Sequence, residues 1–295
     1  MSTDRILVGK KRLSTQAAGT LAMAGCAFLW STAGIFIKLV DWQPFAIAGA
    51  RSAIAAVFLW IVIRRPRFTF SFDQVSTALA YAATMILFVF ANKHTTSANA
   101  ILLQYGAPVY VAILGSVMLK ERPRIEHWFA LAAVCFGMVL FFMDSLGRGN
   151  FLGDVIAALA GVTFALNIVM LRKQKNASPI DSLLLGHIFT AIIAGAISLF
   201  MPAPVLTAKS LLAVGALGIV QIGLAAVLFS YGIKRITALE SILTAVIEPL
   251  FNPLWVFLAT GEAPGLRALS GGVVIIGAVM ISSFMSVRRS SRAVQ

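Results

Sequence analysis

Four polar residues recur at every fourth position of one strongly apolar segment: Glu240, Thr244, Glu248 and Asn252. Residues four apart lie on one face of an α-helix. Pro249 has no amide proton, so the carbonyl of Ala245 loses its usual helical partner. A carboxylate at Glu248 beside that carbonyl forms an acceptor-rich patch, which suits the binding of an ammonium group or the carriage of a proton. The alternative is a structural glutamate, hydrogen-bonded to a neighbouring helix within a kink.

Other polar and aromatic residues lie at a similar depth in separate apolar segments: Trp30, Tyr81, Gln104, Tyr105, Thr163, Asn167 and Gln221. Together they can line a mixed aromatic and polar cavity that holds a zwitterion with a variable side chain. Individually, each can instead form a hydrogen bond between two helices. Pro108 frees the carbonyl of Gln104 in the way that Pro249 frees Ala245.

Arg51 and His187 are ionisable residues deep inside apolar segments, where a charge is costly. Arg51 can bind a substrate carboxylate through its planar fork. Alternatively, it pairs with a protein carboxylate or helix-end carbonyls, or extends outward to the membrane surface. His187 can relay a proton or form a packing hydrogen bond. Glu248 and His187 are therefore the candidates for ion coupling, whereas the spacing of Thr237 and Glu240 predicts a helix-capping box.

Composition and hydropathy indicate which elements must position these residues. The 295 residues are 59% hydrophobic and 12% charged, with a mean hydropathy of +0.91. Charges cluster between apolar stretches of roughly 18–25 residues, the length that crosses about 30 Å of hydrocarbon as a helix. The sequence predicts an all-α integral membrane protein with ten transmembrane helices, over residues 17–39, 44–63, 73–92, 96–119, 126–143, 153–171, 180–201, 209–233, 239–260 and 266–286.

The basic residues alternate between the two sides of this ten-helix arrangement. Most of the 24 Lys and Arg fall in the two tails and in every second loop. The positive-inside rule makes those regions cytoplasmic. We therefore expect cytoplasmic tails at residues 1–16 and 287–295, in a bacterial-type inner (plasma) membrane. The net charge of +13 is explained by this topology and implies no nucleic-acid partner.

The chain contains an internal repeat. Segments 97–123 and 238–264 align without a gap, with Pro108 and Pro249 sharing the same offset of 141 residues as several other matches. Repeats of this apolar character are typical of secondary transporters.

Each repeat holds five predicted spans, over residues 17–143 and 153–286. Because five is odd, the second repeat enters the membrane from the opposite side, which gives an inverted pair. Such a pair exposes a central site alternately to the two sides of the membrane. The substrate is therefore expected near the bilayer midplane, between the halves.

The repeated motifs also resemble those of a known family, the EamA-type proteins of the drug/metabolite transporter superfamily. The motifs that carry this resemblance are Trp30-Ser31-Thr32 with Lys38, Ala107-Pro108-Val109, Lys120-Glu121-Arg122-Pro123, Ile247-Glu248-Pro249 and Gly261-Glu262. The resemblance implies ten helices, cytoplasmic termini and export of amino acids or related small metabolites, as in the YddG-like exporter branch. One departure is that Ala107 stands where the second copy has Glu248.

Several function classes lack the residues that they require. His94, His127 and His187 are scattered, and no activated nucleophile is present, so we expect no enzyme, catalytic residue, metal or cofactor. The sequence contains no Walker A motif, so we expect no ATP hydrolysis by this chain. The expected partners are a small-molecule substrate and the lipid bilayer. Import, transport of other metabolites or drugs, and a non-transporting assembly role stay open, as do the energy source and the oligomeric state.

Overall fold

The computed structural model describes residues 3–95, 97–143, 150–251, 255, 258 and 265–292. All regular elements in these ranges are helical. We number the helices in chain order: α1 (Thr3–Trp30), α2 (Ala33–Leu39), α3 (Pro44–Ile63), α4 (Phe72–His94), α5 (Ser97–Gln104), α6 (Ala107–Leu114), α7 (Ile125–Phe142), α8 (Phe151–Lys173), α9 (Pro179–Ser198), α10 (Ala208–Ala216), α11 (Ala225–Ile233), α12 (Ala238–Ala245) and α13 (Leu266–Arg292). Two π-helical segments, Gly115–Leu119 and Leu217–Leu224, follow α6 and α10 without interruption.

Six helices in the described ranges are long and apolar enough to cross a membrane: Pro44–Ile63, Phe72–His94, Asn99–Leu119, Phe151–Lys173, Pro179–Ser198 and Ala208–Ile233. Two shorter apolar helices are Ile125–Phe141 and Leu269–Ser282. The predicted first span is divided between α1 and α2. The predicted ninth span begins as α12, and most of its second half lies outside the described residues. Large apolar side chains such as Leu21, Ile61 and Phe129 are about 70% exposed, as expected of a lipid-facing surface.

The packing of the helices follows a regular pattern. Helices five places apart in the predicted span order contact each other: α3 with α9, α6 with α12, and α7 with α13. The contact of α1 with α11 joins spans one and eight, and the contact of α4 with α8 joins spans three and six. A shift of five places converts one of these pairs into the other. This pattern is the one that two related five-helix halves produce about a common axis.

Local sequence signals set several helix starts. Pro44 and Pro179 occupy the first turn of α3 and α9, where a missing amide proton breaks no helical hydrogen bond. Thr237 accepts a hydrogen bond from the amide of Glu240, and the Glu240 carboxylate accepts one from the amide of Thr237 at 2.9 Å. The predicted capping box at the start of α12 is therefore confirmed, and Glu240 has a structural role there.

A buried ion pair joins the loop after α6 to three helices of the second half. The Glu121 carboxylate accepts from Arg172 Nε at 2.8 Å and from the amide of Ala238 at 3.2 Å. Arg172 also donates to the carbonyl of Ile233 at 2.9 Å. These contacts attach the loop to the ends of α8 and α11 and to the first turn of α12. Both side chains are mostly buried, so the pair is only weakly screened by water.

We predict that Glu121→Ala lowers the free energy of unfolding by about 2 kcal/mol, because it leaves the Nε group of buried Arg172 and the helix-start amide of Ala238 without their acceptor. Asp73→Ala is the matched control. It removes the Asp73–Lys173 pair, which has a similar length of 2.7 Å but is far more exposed, and should lower stability by less than about 1 kcal/mol. Thermal unfolding of the purified protein in detergent measures both changes. Equal losses in the two variants would contradict the prediction.

Gly161 permits a close approach of α8 to the end of α5. A Cβ at this position would lie 2.8 Å from the carbonyl oxygen of Gln104 and 3.2 Å from its Cα. Both are backbone atoms, so they have little freedom to move aside. The Gln104 carbonyl is also the one that Pro108 deprives of its helical partner. The absence of a side chain at Gly161 therefore fixes the position of the chain where α5 ends.

We expect Gly161→Ala to lower the unfolding free energy by about 1–3 kcal/mol, the usual range for overpacking a filled interior. Gly215→Ala provides the control, because no heavy atom lies within 4 Å of a Cβ built at Gly215. That variant should be neutral or up to about 1 kcal/mol more stable, since alanine favours helix more than glycine does. Thermal unfolding in detergent again gives the comparison; an unchanged midpoint for Gly161→Ala would show that the helices separate freely here.

Candidate functional site

Two helix breaks occupy equivalent positions in the internal repeat. Helix α5 ends at Gln104 and α12 ends at Ala245, and in each case two turn residues precede the next helical stretch. The final residues of the two helices are separated by the offset of 141 that relates the repeats. The last helical residue before each break lies four residues before a proline, Pro108 or Pro249. That proline has no amide proton, so the hydrogen bond that would continue the helix is lost. The predicted loss of these two helical bonds is therefore matched by the helix ends.

A third break, between α1 and α2, has a different cause. The side chains of Ser31 and Thr32 donate to the carbonyls of Phe28 and Leu29 at 2.6 and 2.7 Å. Hydroxyl groups that bond back to the preceding turn compete with the regular helical ladder and bend or interrupt it. Trp255 Nε1 then donates to Ser31 Oγ at 2.9 Å, which links the ninth span to this break.

A cavity lies where the three breaks meet. It encloses about 40 Å³. Trp30 immediately precedes the break between α1 and α2, Gln104 precedes the break between α5 and α6, and Glu248 follows the break at the end of α12. The described residues that line it are Trp30, Arg51, Thr84, Met85, Phe88, Gln104, Phe164, Gln221, Ile222 and Glu248. A volume of this size accommodates about two or three water molecules, so any larger ligand requires the surrounding helices to move apart.

Glu248 is held on the cavity wall by Tyr105. The Tyr105 hydroxyl lies 2.5 Å from Glu248 Oε2 and 3.0 Å from the carbonyl oxygen of Ala245. The hydroxyl has one proton, so it can donate to only one of these two acceptors at a time. Tyr105 is buried. The predicted patch of acceptors around Glu248 is thus present, with a phenol hydroxyl as its donor.

Arg51 reaches the same cavity from α3. It is 1% exposed, so it does not extend outward to the membrane surface, and that alternative is wrong. Its nearest polar contacts are Gln221 Oε1 and the carbonyl of Met85, both at 3.5 Å. Both distances exceed the usual 2.7–3.2 Å of a hydrogen bond. Among the described residues, no carboxylate lies within 4.0 Å of the guanidinium, so pairing with a protein carboxylate is not observed there.

Several other predicted site residues form hydrogen bonds between helices. The Tyr81 hydroxyl lies 3.0 Å from His187 Nε2, joining α4 to α9. Asn167 donates to the carbonyl of Thr77 at 3.2 Å, joining α8 to α4. These buried contacts match the structural alternative given for each residue, and neither pair lines the cavity.

The three remaining predicted site residues, Thr163, Thr244 and Asn252, differ in their positions. Thr163 accepts a hydrogen bond of 2.9 Å from Thr84, which does line the cavity. Thr244 donates back to the carbonyl of Glu240 at 2.8 Å within its own helix. Asn252 lies outside the described residues.

Some lining residues were not predicted from the sequence. Thr84, Met85 and Phe88 come from one face of α4, and their positions follow the 3–4 residue spacing of a helical stripe. Phe164 packs edge-to-face against Trp30, with ring centroids 5.7 Å apart. In an apolar helix, a stripe of this kind has the same appearance as a lipid-facing or core-facing stripe. Only Thr84 offered a polar signal.

Comparison with known proteins gives consistent results for both halves. The model of the EamA-like transporter family matches residues 17–143 and 151–284. A transporter of uncharacterised function from Archaeoglobus fulgidus is 28% identical over 271 residues, which cover 90% of this chain and 96% of that protein. The pseudopaline exporter CntI of Pseudomonas aeruginosa is 23% identical over 278 residues, with 90% and 96% covered.

The fold is also shared with a protein of known structure. A crystal structure with 20% sequence identity superposes with a TM-score of 0.78, covering 93% of this chain and 99% of that chain. Two copies of the family's domain account for most of the sequence, and the described helices include six that can span a membrane. The chain is therefore a multi-pass membrane protein that belongs to the EamA-like transporter family.

Proposed function

We propose that this protein is a secondary transporter that exports amino acids or related small metabolites across the inner membrane by alternating access. The observation that carries the proposal is the cavity at the three helix breaks, whose lining includes both a carboxylate and a guanidinium. Discontinuous helices around a central site are typical of secondary transporters. Irregular backbone at membrane depth is tolerated where it is buried in protein or lines a cavity.

The proposed architecture is ten helices in two inverted repeats, residues 17–143 and 153–286, with both termini cytoplasmic. Two findings support it. The family model matches two consecutive segments that nearly coincide with these ranges. The helix contacts exchange consistently when each span is replaced by the one five places later. In this proposal, the positive-inside rule places the Lys- and Arg-rich loops and both tails in the cytoplasm.

In this proposal, Glu248 and the Ala245 carbonyl receive the amino group of the substrate. An ammonium group has three N–H donors, and these two acceptors lie on either side of one phenol hydroxyl. The entering ammonium replaces the Tyr105 hydroxyl as the donor. Trp30, with Phe88 and Phe164, provides an apolar surface for the rest of the molecule.

The helix breaks also provide a means of movement. A few residues without regular helical bonds can absorb the change in backbone angles that opens one side of a cavity. The small volume of the cavity indicates that its walls close around the substrate and separate to release it.

Glu248 is the coupling candidate at the site, whereas His187 is engaged by Tyr81. Transport without a coupling ion is the alternative mechanism.

A second candidate function is the export of small metabolites other than amino acids. The observation that favours it is the relative named for pseudopaline export, which is similar along nearly its whole length. The same cavity and the same movements serve both functions. A panel of labelled compounds that includes amino acids and other small carboxylated metabolites distinguishes them.

We predict that the protein in proteoliposomes catalyses counterflow of several labelled amino acids and that Glu248→Gln abolishes this exchange, because the neutral amide no longer attracts an ammonium group. Asp73→Asn, at an exposed surface pair, is the control and should retain exchange. Thermal unfolding verifies that the variants are folded. Absence of exchange by the wild type across the amino acids would overturn the amino-acid proposal, and full activity of Glu248→Gln would assign Glu248 to packing.

Tyr105→Phe tests the displacement of the phenol hydroxyl. The substrate no longer competes with that hydroxyl for Glu248, so the half-saturating concentration in counterflow should fall by about 2- to 10-fold, the worth of one hydrogen bond. Tyr110→Phe, a partly buried tyrosine of α6 that does not line the cavity, should leave it unchanged. A higher half-saturating concentration for Tyr105→Phe would show that the hydroxyl binds the substrate directly.

A further inference from the structure

We infer that Arg51 is the anion subsite of the cavity, and that a transported molecule must carry a free carboxylate in addition to its amine. The inference rests on the proposed function and narrows the substrate class from small metabolites to compounds with both charges. It excludes simple amines, and it excludes amino acids whose carboxylate is blocked as an amide.

The first observation is that the charge on Arg51 is unbalanced within the described part of the chain. The side chain is 1% exposed, and arginine stays protonated in proteins. Its Nε atom has no hydrogen-bond partner, and its other contacts are two neutral oxygens at 3.5 Å and a sulfur at 3.7 Å. A buried charge without a counter-charge is costly. A ligand that brings a carboxylate removes that cost.

The second observation is the shape of the surroundings. Gln221 and Met85 contact the two terminal nitrogens of the guanidinium from different helices. Both also line the cavity with Arg51, so the guanidinium lies at the cavity wall between two long contacts. Because their atoms are neutral, they orient Arg51 without satisfying its charge, and Gln221 is a positioning residue. A planar guanidinium held this way is suited to two parallel hydrogen bonds with a carboxylate.

The third observation is that Arg51 and Glu248 share one cavity without forming an ion pair. The Glu248 carboxylate is bonded to Tyr105 instead, and no Glu248 oxygen lies within 4.0 Å of the guanidinium nitrogens. The cavity therefore has two separate poles of opposite charge. A zwitterion satisfies both poles, whereas an amine or an acid alone satisfies one.

The repeats explain why each pole occurs once. Pro44 and Pro179 begin the corresponding helices α3 and α9 and are 135 residues apart, so the position equivalent to Arg51 in the second half is Gly186. A Cβ there would lie 2.8 Å from the Tyr81 ring, so no side chain fits. The position equivalent to Glu248 in the first half is Ala107, which is fully buried. The first half therefore supplies only the cation and the second half only the carboxylate. Although the two halves are similar, the site therefore binds a substrate in one orientation, with its carboxylate at Arg51 and its amine at Glu248.

The experiment measures ligand-induced thermal stabilisation of the full-length purified protein, which does not depend on transport. The probes are a panel of amino acids, each with its carboxamide, its decarboxylated amine and its N-acetyl derivative, and sodium sulfate as an inorganic anion. The variants are Arg51→Met, which keeps the length and removes the charge, and Arg51→Lys, which keeps the charge without the fork. Asp73→Asn is the control. Titration of each probe gives its apparent dissociation constant.

We expect the wild type to bind at least one amino acid about tenfold or more tightly than its carboxamide, the worth of a charge-assisted hydrogen bond. This ratio should fall to about one in Arg51→Met and take an intermediate value in Arg51→Lys. Asp73→Asn should keep the wild-type ratio. If Arg51→Met does not fold, the wild-type and Arg51→Lys ratios still decide the outcome.

Equal binding of amino acid and carboxamide by the wild type would overturn the inference while leaving amino-acid export intact. Binding of sulfate or the N-acetyl acid as tightly as the amino acid would also overturn it, because the amine pole would then be unnecessary. Stabilisation by no member of the panel would overturn it too. By contrast, carboxylate-dependent binding without counterflow of any amino acid would support the subsite and count against the proposed export.

Discussion

A backbone carbonyl inside a bilayer must find a hydrogen-bond donor within the protein, because the hydrocarbon offers none. This constraint governs the centre of the molecule. Pro108 and Pro249 each deprive one carbonyl of its helical partner, and both of these carbonyls lie against packed protein. The Ala245 carbonyl shares the Tyr105 hydroxyl with Glu248, and the Gln104 carbonyl lies where Gly161 lets α8 approach. The cavity exists because these interruptions are placed together, and the surrounding helices pack so as to cover them.

The same low dielectric constant determines where charge is placed. The Glu121–Arg172 pair is closed, with further contacts to a helix-start amide and a helix-end carbonyl. Arg51 and Glu248 remain apart, and each has only neutral partners among the described residues. The first arrangement stabilises one packing of the two halves. The second leaves two groups whose most favourable partners are charges brought by a ligand, which is why we propose this cavity as the substrate site.

Hydropathy and spacing predicted much of this fold. Helix α3 spans Pro44–Ile63, the same limits as the predicted segment, because a proline and a polar loop mark its two ends. The gap-free repeat located both proline breaks, since backbone chemistry depends only on local sequence. The interruption after Trp30 was not predicted, because Ser31 and Thr32 are tolerated within many helices, and the sequence does not show that their hydroxyl groups bond back to the preceding turn here.

The candidate site could be predicted only in part. Side chains that are costly in a membrane, such as Arg51 and Glu248, stood out from their surroundings and do line the cavity. Tyr81, Asn167 and His187 have the same polar character but bond across helix interfaces instead. Sequence alone does not give the rotation of one helix relative to another, which decides between these two outcomes. Apolar wall residues such as Phe88 and Ile222 carry no distinguishing signal at all.

The two poles of the cavity belong to different repeats, and the proposed alternating-access cycle moves these repeats relative to each other. A substrate bound at both poles therefore connects the two repeats while they move. The spacing of its charges limits how far Arg51 and Glu248 can separate while it stays bound, and shortening or lengthening that spacing changes the mechanics of the protein as well as its affinity. In such a transporter, the distance between the two charges of the substrate limits the conformational change that transports it.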